Sequence, residues 1–226
     1  MAEQLSFDLP ARPALGRADF MVSPGNAVAV AMIEGWHRWP GARCALIGPT
    51  GAGKTHLAHV WANLAGGTVM AASALQDADV PSIAACPIAV EDVPQIAGTP
   101  AETALFHLAN LCAAQAVPLL LTGAAEPAHW SLTLPDLASR MAALPVAPLS
   151  PPDDALLAGV LAKLFSDRQL APRPDVIPYL VGRMDRSFAA AGRIVSALDA
   201  AALGQQRPIT RPLAAEVLDS DAGHSP

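Results

Sequence analysis

Gly48-Pro49-Thr50-Gly51-Ala52-Gly53-Lys54-Thr55 is the stretch on which the reading of this chain turns. A glycine, four free positions, then Gly-Lys and a hydroxyl residue is the spacing of a phosphate-binding loop. A polyphosphate must meet a run of backbone N–H groups, which calls for glycine where a Cβ would collide or φ must be positive. Lys54 brings a point charge to the β and γ phosphates, Thr55 a hydroxyl for Mg²⁺, and the next helix its positive dipole end. Gly48, Pro49, Thr50, Gly51, Ala52, Gly53, Lys54, Thr55 and the adjoining His56 are therefore the expected nucleotide contacts. The flanks agree: Arg43-Cys44-Ala45-Leu46-Ile47 reads as a short buried strand, and residues 56–64 as a helix closed by Gly66-Gly67. Such a pattern arises by chance in roughly one chain of this length in a hundred. His56 and His59 lie one turn apart, but no third ligand stands near them in sequence, so packing of the helix is the better reading than a metal.

Around this loop the composition narrows the classes. The chain has 226 residues, 52% of them hydrophobic, enough for a full domain and a small appendage. Its net charge is −6, and no lysine or arginine falls between Lys54 and Arg140, which argues against a protein whose main business is coating nucleic acid. Cys44, Cys86 and Cys112 are odd in number, far apart and set among apolar residues, as expected of reduced thiols in the cytoplasm. No apolar run approaches a membrane span, and the first residues lack the pattern of a signal peptide.

Working outward, residues 1–24 contain Pro10, Pro13 and Pro24 and read as an extended tail. Its Leu5, Phe7 and Leu9 alternate, which suits pockets on a partner or on the chain's own domain. A helix is expected over residues 27–36, with Trp36 and Trp39 in the core or beside the adenine, then a strand at 68–71 and one short helix between 72 and 87. Residues 87–93 form a buried strand that ends in Glu91 and Asp92. That is the second element of a nucleotide hydrolase: Glu91 takes the Mg²⁺ role and Asp92 orients water. Thr99-Pro100-Ala101-Glu102 opens a helix in capping-box form. An apolar strand at 117–122 ends in Thr122-Gly123, which could sense a γ-phosphate. A short helix at 134–141 carries the isolated Arg140, and a last strand lies at 144–149. Alternating strands and helices imply a three-layer α/β fold. From Ser150 onward the pattern is helical, with Ser150 as cap and prolines in the first turn. Further helices are expected at 174–183, 187–203 and 210–219. Arg183, Arg186 and Arg193 alternate with Asp175, Asp185 and Asp199 as a solvated face. The expected divisions are a tail at 1–12, an α/β nucleotide-binding domain at 13–149, a helical domain at 150–220 and a frayed end at 221–226.

Together these pieces resemble an AAA+ module of the DnaA family, and more closely its short paralogues in proteobacteria. The resemblance covers nearly the whole chain and implies a P-loop AAA+ fold: a three-layer, five-stranded parallel sheet with a small C-terminal all-helical lid. Gln4-Leu5-Ser6-Phe7-Asp8-Leu9 is similar to the sliding-clamp-binding motif, so Gln4, Leu5, Ser6, Phe7 and Leu9 would contact the β subunit of DNA polymerase III. Leu134-Pro135-Asp136-Leu137-Ala138-Ser139-Arg140 matches the family's arginine-finger segment, making Arg140 a catalytic residue that acts in a neighbour's site. What the resemblance implies is negative regulation of chromosomal replication initiation. Held on the DNA-loaded clamp, such a protein meets the initiator DnaA and stimulates hydrolysis of DnaA-bound ATP. ADP or ATP with Mg²⁺ is the implied cofactor; no sequence-specific DNA binding and no membrane association are expected, and a homo-oligomer is compatible.

Two departures bear on the chain's own chemistry. Where the family's sensor strand continues into Asp-Arg, this chain has Ala124-Ala125, and at the sensor-2 arginine position it has Ala189, with Arg193 one turn on. Both remove charge from its own γ-phosphate site, so weak intrinsic hydrolysis is expected. Competing readings are a DNA-acting initiator or helicase loader, a small-molecule kinase, and a clamp-tethered adaptor in which Arg140 is idle.

Overall fold

A computed structural model describes residues 16–17, 20–205 and 207–222. The tail motif with Gln4, Leu5, Ser6, Phe7 and Leu9 lies outside the described residues. Ahead of the first helix, the Ser23 N–H donates to Asn26 Oδ1 at 2.8 Å, and the Asn26 amide donates to the Met21 carbonyl at 3.0 Å. Helix α1 (Ala27–Glu34) ends two residues before the expected boundary, because Gly35 leads into a 3₁₀ turn at Trp36–Arg38. There follow β1 (Arg43–Ile47), α2 (Lys54–Ala65), β2 (Thr68–Ala71), a 3₁₀ turn (Ala72–Asp77) and α3 (Val80–Ile83). Then come β3 (Ile88–Glu91), α4 (Pro100–Gln115), β4 (Leu119–Gly123), α5 (Pro135–Ala142) and β5 (Val146–Pro148).

All strand pairs are parallel, in the order β2-β3-β4-β1-β5. Successive side chains point to opposite faces of a strand, which divides the core in two. Cys44, Leu46, Ala89, Leu120 and Ala147 pack against α1 and α2, while Ala45, Ile88, Val90, Leu119 and Leu121 pack against α4 and α5. Cover on both faces explains why the central strands β1, β3 and β4 read as apolar runs. Trp39 belongs to the core, stacked on Trp61 at 5.6 Å with its indole N–H donating to the Met32 carbonyl at 2.8 Å.

Four helices complete the chain: α6 (Asp154–Asp167), α7 (Val176–Val181), α8 (Phe188–Gln205) and α9 (Arg211–Ala222). They enclose a core of their own, in which Leu157, Leu161, Phe165, Leu180, Ile194, Leu198 and Leu213 are buried. The cap of α6 is Asp153, whose carboxylate accepts from the Leu156 N–H at 2.7 Å, rather than Ser150. Residues before proline avoid the helical region, so Ser150 and Pro151 stay outside the helix. The expected capping box at Thr99 is also absent. The Thr99 hydroxyl donates backward to the Ile96 carbonyl at 2.8 Å, and the buried Glu102 carboxylate turns away to Gly98, Thr133 and Leu134. No helix among the described residues is long and apolar enough to cross a membrane.

Candidate nucleotide site and arginine finger

The connection leaving β1 runs toward β2 over one face of the sheet, and that leaving β4 runs toward β5 over the other. The crevice at the carboxyl ends of two such strands is where an open parallel sheet takes a ligand. Ile47 at the end of β1 lies opposite Gly123 at the end of β4, and β3 brings Glu91 up on the far side of β4. The loop 48–55, Glu91, Asp92 and Thr122 thus meet at one edge.

Gly51 and Gly53 have φ of +78° and +96°, a region in which a side chain is strained. The Lys54 side chain is only 9% exposed and donates from Nζ to the carbonyls of Gly48 at 2.8 Å and Pro49 at 3.1 Å. Burial lowers its pKa below the ordinary lysine value, partly offset by the negative charges of Asp92 and Glu91. A buried cation with two carboxylates nearby and neutral carbonyls as its hydrogen-bond partners is poised for an anion, so the residues present fit a bound polyphosphate. Thr50 and Thr55 are exposed. Asp92 sits at φ +57°, which aspartate tolerates better than most residues, and its N–H donates to the fully buried Thr122 hydroxyl at 3.0 Å. Thr122 is thereby engaged in fixing the turn after Glu91.

Residues not expected from the sequence complete this edge. At the start of α8 the Phe188 N–H donates to the Gly51 carbonyl at 3.0 Å, and the Phe188 ring packs over Gly53. Ser187 lies against Gly51 so closely that a Cβ there would stand 2.3 Å from the Ser187 Cβ. Phe20 is buried, edge-on to His56 with ring centroids 5.1 Å apart, and His56 Nε2 lies 3.4 Å from the Gly16 carbonyl. Nothing local in the sequence pointed to them: Phe20 lies ahead of the first helix, and Phe188 begins a helix more than 130 positions from Gly53. Ala189 is exposed, as is Arg193 one turn later. Among the described residues no group of three or more His, Cys, Asp or Glu could hold a metal, and His56 and His59 belong to none.

The fold matches domain III of the DnaA replication initiation protein from Thermotoga maritima with a TM-score of 0.78 and 19% identity, covering 94% of this chain and 98% of that one. The model of the Hda lid domain matches residues 155–218. The chain thus carries a match to the Hda lid domain and has a P-loop AAA+ fold like that of DnaA domain III. DnaA from Aquifex aeolicus, bound to AMPPCP, is similar with a TM-score of 0.68 and 18% identity over 83% of this chain and 66% of that one. The Thermotoga maritima RuvB branch-migration motor follows at 0.62 and 18%, over 79% and 61%.

In this AAA+ fold Arg140 lies on α5, whose Leu137 and Met141 are buried in the layer opposite the one that holds α2. Its guanidinium is exposed, donates to Asn110 Oδ1 at 2.7 Å and pairs with Asp136, one turn before it, at 3.0 Å. The Phe106 ring lies 5.8 Å beneath. The arginine is held at the surface and is not aimed into its own protein's core.

Proposed function

We propose that the chain is a nucleotide-binding negative regulator of replication initiation that lends Arg140 to the site of a neighbouring initiator. The observation that carries this is the placement of Arg140, exposed on the sheet face opposite the P-loop helix, within a segment similar to the family's finger. An arginine held at the surface by Asn110 and Asp136 would be within reach of a neighbouring subunit. Entering that subunit's site, its guanidinium would neutralise charge developing on the transferring phosphoryl group. Such fingers contribute about 10³ to 10⁵ in rate.

The chain's own site would hold ADP or ATP. The backbone of residues 48–53 and Lys54 would meet the phosphates, His56 would back the loop, and Thr55 with Glu91 would hold Mg²⁺, which supplies charge neutralisation on phosphate oxygens. The reach of Glu91 exceeds that of aspartate, Asp92 is left to orient water, and Ala124, Ala125 and Ala189 provide no charge for a γ-phosphate. The chain would therefore bind nucleotide and turn it over weakly, with catalysis exerted on the partner. Gln4, Leu5, Ser6, Phe7 and Leu9 would tether the protein to the sliding clamp, and avidity from the clamp's symmetry would compensate for a short contact.

The test follows loss of ATP from DnaA in the presence of DNA-loaded clamp, with the wild type, Arg140→Ala, and a form with Gln4 and Leu5 both replaced by Ala. Stimulation by the wild type that disappears in both variants supports the reading. A wild type that binds the clamp and leaves hydrolysis unchanged refutes it in favour of a passive adaptor.

A further inference from the structure

Glu102 is the most deeply buried carboxylate among the described residues, with 1% of its surface exposed. Removal of a carboxylate from water is costly unless its oxygens are fully hydrogen-bonded. Here each oxygen receives two donors. Oε1 accepts from the N–H groups of Thr133 at 2.6 Å and Leu134 at 2.8 Å, and Oε2 from the Gly98 N–H at 2.6 Å and the Thr133 hydroxyl at 2.8 Å. No cation pairs with it among the described residues. The charge is held by dipoles of two distant segments instead.

Those segments are informative. Thr133 and Leu134 immediately precede α5, which carries Arg140 six residues on, and Gly98 closes the loop that leaves Asp92 and the edge of the nucleotide site. The loop between β4 and α5 is held on the core by the buried Trp130 and partly by Leu132 and Leu134, but its last residues before α5, at the exposed Thr133, are left for polar contacts to fix. Three charge-assisted bonds at its end do so, and each is roughly twice as strong as its neutral equivalent. We propose that Glu102 is the positioning residue for the arginine finger: by gripping Thr133 and Leu134 it sets the start of α5, and through it the place at which Arg140 is presented to the neighbouring site. It does not touch the partner's nucleotide. This rests on the finger reading of Arg140 given above.

Glu102→Gln tests the grip with little change of shape. With the amide nitrogen at the Oε1 position the bonds from Thr133 and Leu134 are lost. At the Oε2 position the Thr133 hydroxyl turns to accept from it and the Gly98 bond is lost. Either way the remaining bonds lose the carboxylate's charge. Misplacement of a catalytic group by about an ångström costs up to about 100-fold. The variant should lower the maximal rate of hydrolysis of DnaA-bound ATP about 10- to 100-fold while the concentration giving half-maximal stimulation stays as in the wild type. Thr133→Val, at an exposed position, removes only the hydroxyl and should lower that rate in the same direction by a few-fold. In an Arg140→Ala background neither change should matter further. Hydrogen exchange of the amides of Thr133, Leu134 and α5 should quicken in Glu102→Gln while those of β1 and β4 keep their protection. Full stimulation by Glu102→Gln, or an equal fractional loss with and without Arg140, overturns the proposal. If the wild type itself gives no stimulation, the finger reading has failed. Hydrogen exchange then decides separately, and unchanged protection at α5 overturns the anchoring role as well.

Discussion

Gly51→Ala is the sharpest probe of how the lid sits on the phosphate loop. At φ +78° an alanine is strained by about 1–2 kcal/mol relative to glycine. Its Cβ would also stand 2.3 Å from the Ser187 Cβ and 3.0 Å from Oγ, a separation that real side chains do not tolerate. Ser187 begins a helix and cannot swing aside alone, so α8 must lift, and lifting breaks the Phe188 N–H bond to the Gly51 carbonyl, about 1 kcal/mol more. The variant should therefore be destabilised by about 2–3 kcal/mol. It should also bind ADP more weakly, because the ring of Phe188 leaves Gly53. Ser187→Gly makes the cause visible. The serine hydroxyl caps α8 through the Ala190 N–H at 3.1 Å, and its loss to glycine costs only a few tenths of a kcal/mol. Placed in the Gly51→Ala background, however, it removes the collision and should return about half of the lost stability, the strain at φ +78° remaining. Thermal unfolding and ADP titration of the two single variants and the double variant measure this. If Ser187→Gly lowers the stability of Gly51→Ala instead of raising it, the lid does not rest on the loop as described.

Three further outcomes are expected. Lys54→Met should leave the nucleotide-free protein as stable as the wild type or slightly more so at neutral pH. The lowered pKa means that the charged amine is a burden on the fold below that pKa, easing only as pH rises toward the ordinary lysine range. The same variant should lose the stabilisation that saturating ADP confers, about 2.7 kcal/mol at a hundredfold excess over Kd, in a thermal shift. Burial pushes the Glu102 carboxyl up, but hydrogen bonds from Leu134, Gly98 and Thr133 outweigh it and hold the group below the usual value. Its contribution is thus complete above the ordinary carboxyl pKa and is lost as pH falls through the folded one, so acid unfolding of Glu102→Gln should be less steep than that of the wild type. Burial raises the Cys44 thiol to about 12 and the Cys112 thiol to about 11, the latter partly countered by Arg43. Neither should react with a thiol reagent at pH 8 in the folded protein, leaving Cys86, which is part-exposed, to account for a single reacting thiol, against three after denaturation.

The strands and the phosphate loop were legible because each signal is local. Arg43–Ile47, the glycines and the helix from Lys54 follow one another without interruption, and burial on both faces makes the central strands β1, β3 and β4 apolar runs. Glu91 and Asp92 were found for the same reason, at the end of β3. What escaped was decided by tertiary contacts. Glu102 stands at the spacing of a capping box, yet three N–H donors and a hydroxyl from Gly98, Thr133 and Leu134 outbid Thr99 for its oxygens. Ser187 and Phe188 reach Gly51 and Gly53 only once the lid has folded back, a contact with no trace in local pattern. Arg140 stood out by its isolation in a cation-free third of the chain, but its support by Asn110 comes from another helix.

The central claim is tested most directly by single-turnover decay of radiolabelled ATP bound to DnaA, with loaded clamp present and either the wild-type chain or Arg140→Ala in excess. The account predicts that the wild type accelerates decay and that Arg140→Ala, with clamp and nucleotide binding intact, leaves it at the spontaneous rate. Equal acceleration by the variant, or none by the wild type, would contradict it.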